Sequence, residues 1–239
     1  GSPGLPWRRL RAQREGTLRR LRAQMHLSSV PDALLCREEQ LGALGDFIAE
    51  RRAAGAGGAM YVCGSPGLGK SLTVRQAHEA LVAELRSSSS PSSGAPISRA
   101  VYLNAFQLPS AGVLYKTLLD EFGGALGGAA KGGKRAARGA PKPDADDVVG
   151  ANDARAAVER LVLRPRGNAS GGLLVLMVDE IDQLVSGGSE ALHDLFVWAA
   201  MGRSRLVLIG IANAIDLTER FLPTLSASGA APSTLTFPP

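Results

Sequence analysis

The sequence has only two cysteines, three histidines and few aromatic residues among its 239 positions. Cys36 and Cys63 form no CxxC pair, so we expect two free thiols in a reducing compartment rather than a disulfide scaffold or a zinc site. The three histidines lie far apart and show no metal-ligand spacing. No apolar run reaches the roughly 18 residues that a membrane-spanning helix needs, and the arginine-rich N-terminus does not resemble a signal peptide. These absences predict an intracellular protein with no membrane partner.

Basic residues are more frequent than acidic ones. Lys and Arg number 27 against 22 Asp and Glu, a net charge of +5 that favours polyanionic partners. Residues 1–27 are predicted to form a basic N-terminal extension, in which RRLRAQ occurs twice and seven arginines lie between Arg8 and Arg22. Leucines at roughly helical spacing predict an amphipathic helix. Its basic face either is simply solvated or contacts DNA.

The remaining residues, 28–239, are predicted to form one α/β domain. Hydrophobic residues make up 45% of the whole chain, enough for a sizeable core. Two low-complexity insertions are predicted at 86–98 and 123–147; the second is rich in Gly, Ala, Lys and Arg and is expected to be disordered, with a nuclear import signal as a second interpretation. Apolar runs alternate with helical patterns, which predicts a parallel sheet flanked by helices. Strands are expected at 59–63, 99–105, 173–178 and 205–212, and helices at 70–85, 113–122, 153–163, 190–201 and around Leu217.

The segment GSPGLGKS fits the pattern G-x-x-x-x-G-K-[ST] between a predicted strand and a predicted helix. Glycines in such a loop let backbone N–H groups close around phosphate oxygens, and the helix N-terminus adds partial positive charge. Lys70 is expected to reach the β- and γ-phosphates, and the Ser71 hydroxyl to ligate Mg²⁺. The predicted nucleotide-binding residues of this loop are Gly64, Ser65, Pro66, Gly67, Leu68, Gly69, Lys70 and Ser71.

Polar residues also follow two predicted buried strands. Asp179 and Glu180 directly follow the run LLVLMV, which places them at the carboxyl edge of the predicted sheet, where α/β proteins bind ligands. Asp179 is expected to hold Mg²⁺ and Glu180 to polarise the attacking water; an acidic cap on the next helix is the alternative. Asn213 follows the next strand, and its amide is predicted to contact the γ-phosphate or the attacking water, unless it is a turn residue.

A phosphate loop, a strand ending in Asp-Glu and a strand ending in Asn, in that order, resemble the core of the AAA+ ATPases. The longer phrases MHLSSVPDALLCREEQ, MYVCGSPGLGKSLTV, ALHDLF, LIGIANAIDLTERFLPTL and LTFPP resemble the replication-initiator branch, which comprises the largest subunit of the origin recognition complex and cell division control protein 6. The similarity covers about residues 20–122 and 151–239, and LIGIANAIDLTERFLPTL is most similar to the plant and green-algal form of the latter.

This resemblance implies an AAA+ P-loop NTPase base domain, with ATP and Mg²⁺ as cofactors and slow, partner-dependent hydrolysis. The implied function is replication licensing in the nucleus, in which the protein helps to load the replicative helicase at origins before S phase. The implied partners are subunits of the origin recognition complex, the ring-shaped helicase with its loading cofactor, and double-stranded DNA through the basic segments. Val30, Pro31 and Arg37 lie where the family's linker approaches adenine.

Two positions depart from the family pattern. Thr224 stands where relatives carry a basic residue near a region that can supply an arginine finger, and Arg220 is the candidate substitute. The chain ends at LTFPP, where the helical lid would begin, so the lid and the winged-helix domain are expected to be absent and hydrolysis to be impaired. The alternatives are the origin recognition complex subunit itself, a nucleotide-dependent binding module that does not hydrolyse ATP, and another clamp-loader-like AAA+ ATPase.

Overall fold

The computed structural model describes residues 37–87, 95–123, 147–163, 172–186, 190–213 and 222–238. From Glu39 onward these residues belong to one compact unit. The predicted basic extension, its boundary at residue 27, the predicted short helix around Leu217 and most of both predicted insertions lie outside the described residues. No helix in the described part of the chain is both long enough and apolar enough to cross a membrane.

Five parallel strands form a single sheet. The strands are β1 (Gly58–Cys63), β2 (Ile97–Asn104), β3 (Leu173–Asp179), β4 (Leu206–Ile211) and β5 (Ser233–Thr236). Their order across the sheet is β2-β3-β4-β1-β5. Strands β3 and β4 are buried along their whole length, because helices cover both faces of the sheet. Their near-continuous Val, Leu and Ile runs are therefore the sequence signature of the sheet centre.

Helices lie on both faces of this sheet. The first two pack on one face, and the third, fourth and sixth pack on the other, in two separate apolar clusters. The helices are α1 (Glu38–Ala54), α2 (Lys70–Arg86), α3 (Ala111–Gly123), α4 (Asp147–Val162), α5 (Gln183–Ser186), α6 (Glu190–Ala200) and α7 (Leu222–Ala227). A 3-10 turn, Ala105–Gln107, follows β2.

Alternate residues of β3 divide between the two clusters. Leu174, Leu176 and Val178 face α3, α4 and α6, whereas Leu173, Val175 and Met177 face α1 and α2. All six side chains are fully buried, so the centre of the sheet is anchored from both sides. The predicted fold class, a parallel α/β sheet flanked by helices, is confirmed.

An ion pair joins three helices on the second face. Asp194 of α6 is 7% exposed, and its side chain accepts hydrogen bonds from Arg155 Nη2 of α4 at 2.7 Å and from the Tyr115 hydroxyl of α3 at 2.7 Å. Burial, followed by the hydrogen bond to Asp194, raises the pKa of Tyr115, so its hydroxyl remains a donor. The Arg155 guanidinium also lies 5.9 Å from the Trp198 ring centroid. This network fixes the mutual register of α3, α4 and α6, far along the chain from the phosphate loop.

The observed helices and strands extend beyond several of the predicted bounds. The insertion predicted at 86–98 overlaps the last residue of α2 and the first two of β2, and the insertion predicted at 123–147 overlaps α3 and α4. α4 begins at Asp147, six residues earlier than predicted, because Gly150 and the flanking low-complexity segment hide its helical pattern. The sequence also gave no prediction for β5, a mostly exposed strand with the polar sequence STLT.

Candidate nucleotide-binding site

The topology of the sheet brings the three predicted polar segments to one edge. Strand β4 lies between β1 and β3, and all three run in parallel. The phosphate loop follows β1. Asp179 is the last residue of β3, and Glu180 comes directly after it. Asn213 follows β4. Their carboxyl ends therefore meet in the region where parallel α/β sheets bind ligands.

The backbone of the phosphate loop needs glycine at several points. Gly69, which precedes α2, has φ of 84°, a left-handed conformation that side chains other than glycine rarely adopt. Gly64 approaches the segment after β5 so closely that a Cβ atom there would lie 2.8 Å from the Phe237 carbonyl oxygen. The Phe237 N–H donates to the Cys63 carbonyl oxygen at 2.8 Å. The end of the chain thus packs against the start of the loop and helps to fix its position.

Lys70 places a buried ammonium group inside this loop. Its side chain is 3% exposed, and Nζ donates to the carbonyl oxygens of Gly64 at 2.8 Å and Ser65 at 2.9 Å. Burial lowers the pKa of Lys70, and the nearby negative charges of Asp179 and Glu180 partly oppose that shift. A buried cation that donates its hydrogen bonds to neutral carbonyls is a good partner for an anionic ligand, since the ligand would compensate the lost solvation.

Two oxygen groups beside Lys70 suit a magnesium ion. The Ser71 hydroxyl donates to Asp179 Oδ1 at 2.9 Å, and Asp179 is 5% exposed. Mg²⁺ prefers oxygen ligands and is commonly held by one or two carboxylates together with substrate phosphates. Among the described residues no cluster of three or more His, Cys, Asp or Glu side chains could hold a metal by itself. The Ser71–Asp179 pair suits Mg²⁺ that is coordinated jointly with the phosphates of a nucleotide.

Asp179 has two further hydrogen-bond donors. The backbone N–H of Glu180 donates to Oδ1 at 3.0 Å, and the Tyr102 hydroxyl donates to Oδ2 at 2.6 Å. Burial and the hydrogen bond to Asp179 raise the pKa of Tyr102, so the phenol stays protonated. Sequence reasoning did not select Tyr102. A signal existed, an aromatic residue near the end of a predicted strand, but the sequence does not show that β2 is the neighbour of β3.

Glu180 adopts an unusual backbone conformation directly after β3. Its φ is 53°, the left-handed region, which costs a non-glycine residue roughly 1–2 kcal/mol. The next residue holds the turn in place, because the Ile181 N–H donates to the Ile211 carbonyl oxygen at 2.9 Å. Asn213 Nδ2 in turn donates to Glu180 Oε1 at 2.9 Å. The contact of Asn213 with Glu180 was not predicted, and its contact with phosphate or water stays a prediction.

The other predicted site residues are placed less completely. Ser65, Pro66 and Gly67 are exposed at the tip of the loop, and Leu68 is half-buried. Arg37 directly precedes α1, while Val30, Pro31 and Arg220 lie outside the described residues. Thr224 is exposed on α7. The predicted contacts with adenine and the predicted role of Arg220 as a substitute arginine finger therefore stay predictions.

The chain is similar to several known proteins. The cell division control protein 6 homolog B of Arabidopsis thaliana is 28% identical over 224 residues, which span 93% of this chain and 39% of that protein. Subunit 1 of the origin recognition complex of Rattus norvegicus is 28% identical over 222 residues, 93% of this chain and 23% of that protein. A chain in the structure of the Drosophila origin recognition complex bound to DNA matches with a TM-score of 0.62 and 25% identity, covering 92% of this chain and 46% of its own length.

The chain thus spans less than half the length of each of these proteins. The family described as the AAA ATPase domain matches residues 33–209, which include the phosphate loop, β3 and most of β4. This match covers well over half of the 239 residues. The chain belongs to the AAA ATPase domain family.

Proposed function

We propose that this chain is the ATP-binding base domain of a DNA replication initiator, in which ATP occupancy controls assembly with other initiator proteins. The observation that carries the proposal is the convergence of Lys70, the Ser71–Asp179 pair and the Glu180–Asn213 pair at one edge of the sheet. The similarity to cell division control protein 6 and origin recognition complex homologues supports the initiator role.

Each group has a chemical task in this proposal. The loop backbone and Lys70 bind the phosphates, and Ser71 with Asp179 holds Mg²⁺, which neutralises phosphate charge when it is bound. Glu180 accepts a proton from the attacking water, and Asn213 orients the Glu180 carboxylate through the hydrogen bond at 2.9 Å. The Glu180 carboxylate accepts its hydrogen bond from Asn213, whereas the Asp179 carboxylate accepts from Ser71 and Tyr102, so that the two acidic groups act on different partners.

The finer proposal is replication licensing in the nucleus. In this proposal the chain has the role that its resemblance to cell division control protein 6 implies. It joins the origin recognition complex on DNA and helps a loading cofactor to place the ring-shaped helicase. Support comes from the phrases shared with that family and from the likeness to a chain of a DNA-bound origin recognition complex. Contact with double-stranded DNA is proposed for the basic residues between Arg8 and Arg22 and between Lys131 and Lys142.

A comparison of ATP hydrolysis with and without partners tests this function. We expect slow turnover by the chain alone and clear stimulation by the origin recognition complex of the same organism bound to DNA, because a partner must complete the transition-state stabilisation. The same assay without DNA separates the stimulation that comes from protein contacts from the stimulation that comes from DNA. Rapid turnover that ignores both partners would contradict the initiator role and favour an independent ATPase.

A second candidate function is a binding module that responds to nucleotide without useful hydrolysis. The observation that favours it is Thr224, an uncharged and exposed side chain at the position where the family resemblance implies a basic residue. Threonine cannot stabilise the charge of a transition state in a neighbouring site as arginine does. Under this alternative, partner binding still depends on ATP, but the lifetime of the complex does not depend on Glu180.

A further inference from the structure

Tyr102 makes a contact that the proposed function does not use. It lies in β2, half-buried, and its hydroxyl donates to Asp179 Oδ2 at 2.6 Å. The other carboxylate oxygen, Oδ1, receives the Ser71 hydroxyl and the Glu180 N–H. The two oxygens of Asp179 are therefore distinguished: one lies beside the serine of the phosphate loop, and the other is bound by the phenol.

The register of the sheet explains how Tyr102 reaches this site. β2 pairs with β3 in parallel, with Tyr102 beside Met177 and Asn104 beside Asp179. Because side chains alternate along a strand, Tyr102 shares a face of the sheet with Met177 and Asp179. The length of the tyrosine side chain then lets its hydroxyl reach the Asp179 carboxylate, two residues further along the neighbouring strand. A shorter side chain at the same position could not bridge two residues along the strand.

The Tyr102 ring is itself held by the helix that begins at the phosphate loop. The Arg75 guanidinium lies 5.1 Å from the ring centroid, and the His78 ring lies at 5.9 Å with an interplanar angle of 52°. Both residues belong to α2, one turn and about two turns after Ser71. The groups that fix the phenol and the serine that faces Asp179 Oδ1 are thus parts of one rigid element.

We infer that Tyr102 is a positioning residue, whose hydroxyl orients the Asp179 carboxylate and thereby strengthens Mg²⁺ binding at the nucleotide site. This inference rests on the proposed ATP-binding function. The physical reason is that a carboxylate held at Oδ2 loses little further rotational freedom when Oδ1 binds a metal. Hydrogen-bond partners of metal ligands commonly change metal affinity by about 10–100-fold when they are removed.

The test compares Tyr102→Phe with wild type, using a fluorescent ATP analogue. Two quantities are measured: the dissociation constant in EDTA, and the Mg²⁺ concentration that gives half of the metal-dependent gain in affinity. We expect the Mg²⁺ midpoint of Tyr102→Phe to rise roughly tenfold. The dissociation constant in EDTA should stay within about twofold of wild type, because phenylalanine keeps the ring contacts and loses only the interactions of the hydroxyl with Asp179 and Arg75.

Tyr115→Phe is the matched control. Tyr115 also donates its hydroxyl to an aspartate, Asp194, at 2.7 Å, but it does so in the helix layer rather than at the site. This variant should lower the thermal unfolding midpoint while leaving the Mg²⁺ midpoint unchanged. A second comparison places Tyr102→Phe in an Asp179→Asn background, where it should have no further effect on the Mg²⁺ midpoint, because it acts through Asp179.

The outcomes separate this inference from the proposed function. If wild type shows no saturable binding of the analogue with or without Mg²⁺, the proposed function is wrong and the inference falls with it. If wild type binds with a clear Mg²⁺ dependence and Tyr102→Phe has the same midpoint, only the inference is wrong. A Tyr102→Phe variant that weakens binding equally in EDTA and in Mg²⁺, or that adds its full effect to Asp179→Asn, would assign Tyr102 a merely structural role and overturn the inference.

Discussion

Lys70→Ala is expected to weaken ATP binding about a hundredfold. In the structure Lys70 is almost completely buried and its ammonium group donates to two loop carbonyls, so it is already held inside the phosphate loop. Hydrogen bonds to charged groups contribute about 1.5–3 kcal/mol each, and a tenfold change in affinity corresponds to about 1.4 kcal/mol. Loss of one or two bonds to phosphate therefore gives an effect of this size, measured by titration calorimetry with ATP and Mg²⁺.

The control for this prediction is Lys116→Ala. Lys116 is an exposed lysine on α3, in the layer opposite α2, so its removal changes the net charge equally without touching the loop. We expect its ATP affinity to equal that of wild type. Thermal unfolding of both variants without nucleotide shows that they are folded. An affinity of Lys70→Ala within about twofold of wild type would mean that phosphate does not bind at this loop.

Glu180→Gln is expected to retain ATP binding and to lower the partner-stimulated hydrolysis rate by at least about a hundredfold. The amide keeps an oxygen that can accept the hydrogen bond from Asn213, so the local arrangement should persist. It cannot accept a proton from water, and loss of a general base typically costs about 10²–10⁴ in rate. Single-turnover measurements of phosphate release, with the partner complex at saturation, separate this chemical step from binding and product release.

Glu121→Gln provides the matched control for this substitution. Glu121 forms a surface ion pair with Arg99 at 2.9 Å, in which both side chains are 43% exposed, and such pairs contribute little. Its hydrolysis rate should equal that of wild type. If Glu180→Gln hydrolyses ATP at the rate of the control, Glu180 is not the base. If it loses hydrolysis while the lifetime of its partner complexes is unchanged, the non-hydrolysing binding module gains support.

The centre of the fold was predictable because its signals are local. Runs such as LLVLMV and LVLIGIA are apolar at consecutive positions, which is typical of a strand covered on both faces, and both appear as buried strands of the sheet. The phosphate loop was predictable for a similar reason, since its glycines and Lys70 lie within eight consecutive residues. The meeting of this loop with Asp179, Glu180 and Asn213 followed from the rule that parallel strands end at one edge.

Other features depend on contacts between distant parts of the chain. β5 pairs with β1 across more than 170 positions and carries no apolar run of its own, so no local pattern reveals it. The Tyr102 contact requires knowledge that β2 lies beside β3, which the order of the strands in the sequence does not determine. The left-handed conformation of Glu180 was also hidden, because glutamate gives no sign of a turn that glycine would normally mark.

The most direct test of the proposed function is the retention of this chain on immobilised DNA carrying the origin recognition complex of the same organism. Wild type and Lys70→Ala are compared with ATP, with ADP and without nucleotide. The account predicts that ATP raises the retention of wild type by roughly tenfold over ADP, a coupling of ordinary size, and that Lys70→Ala shows no such gain. Equal retention of wild type under all three conditions, or an undiminished response of Lys70→Ala, would contradict it.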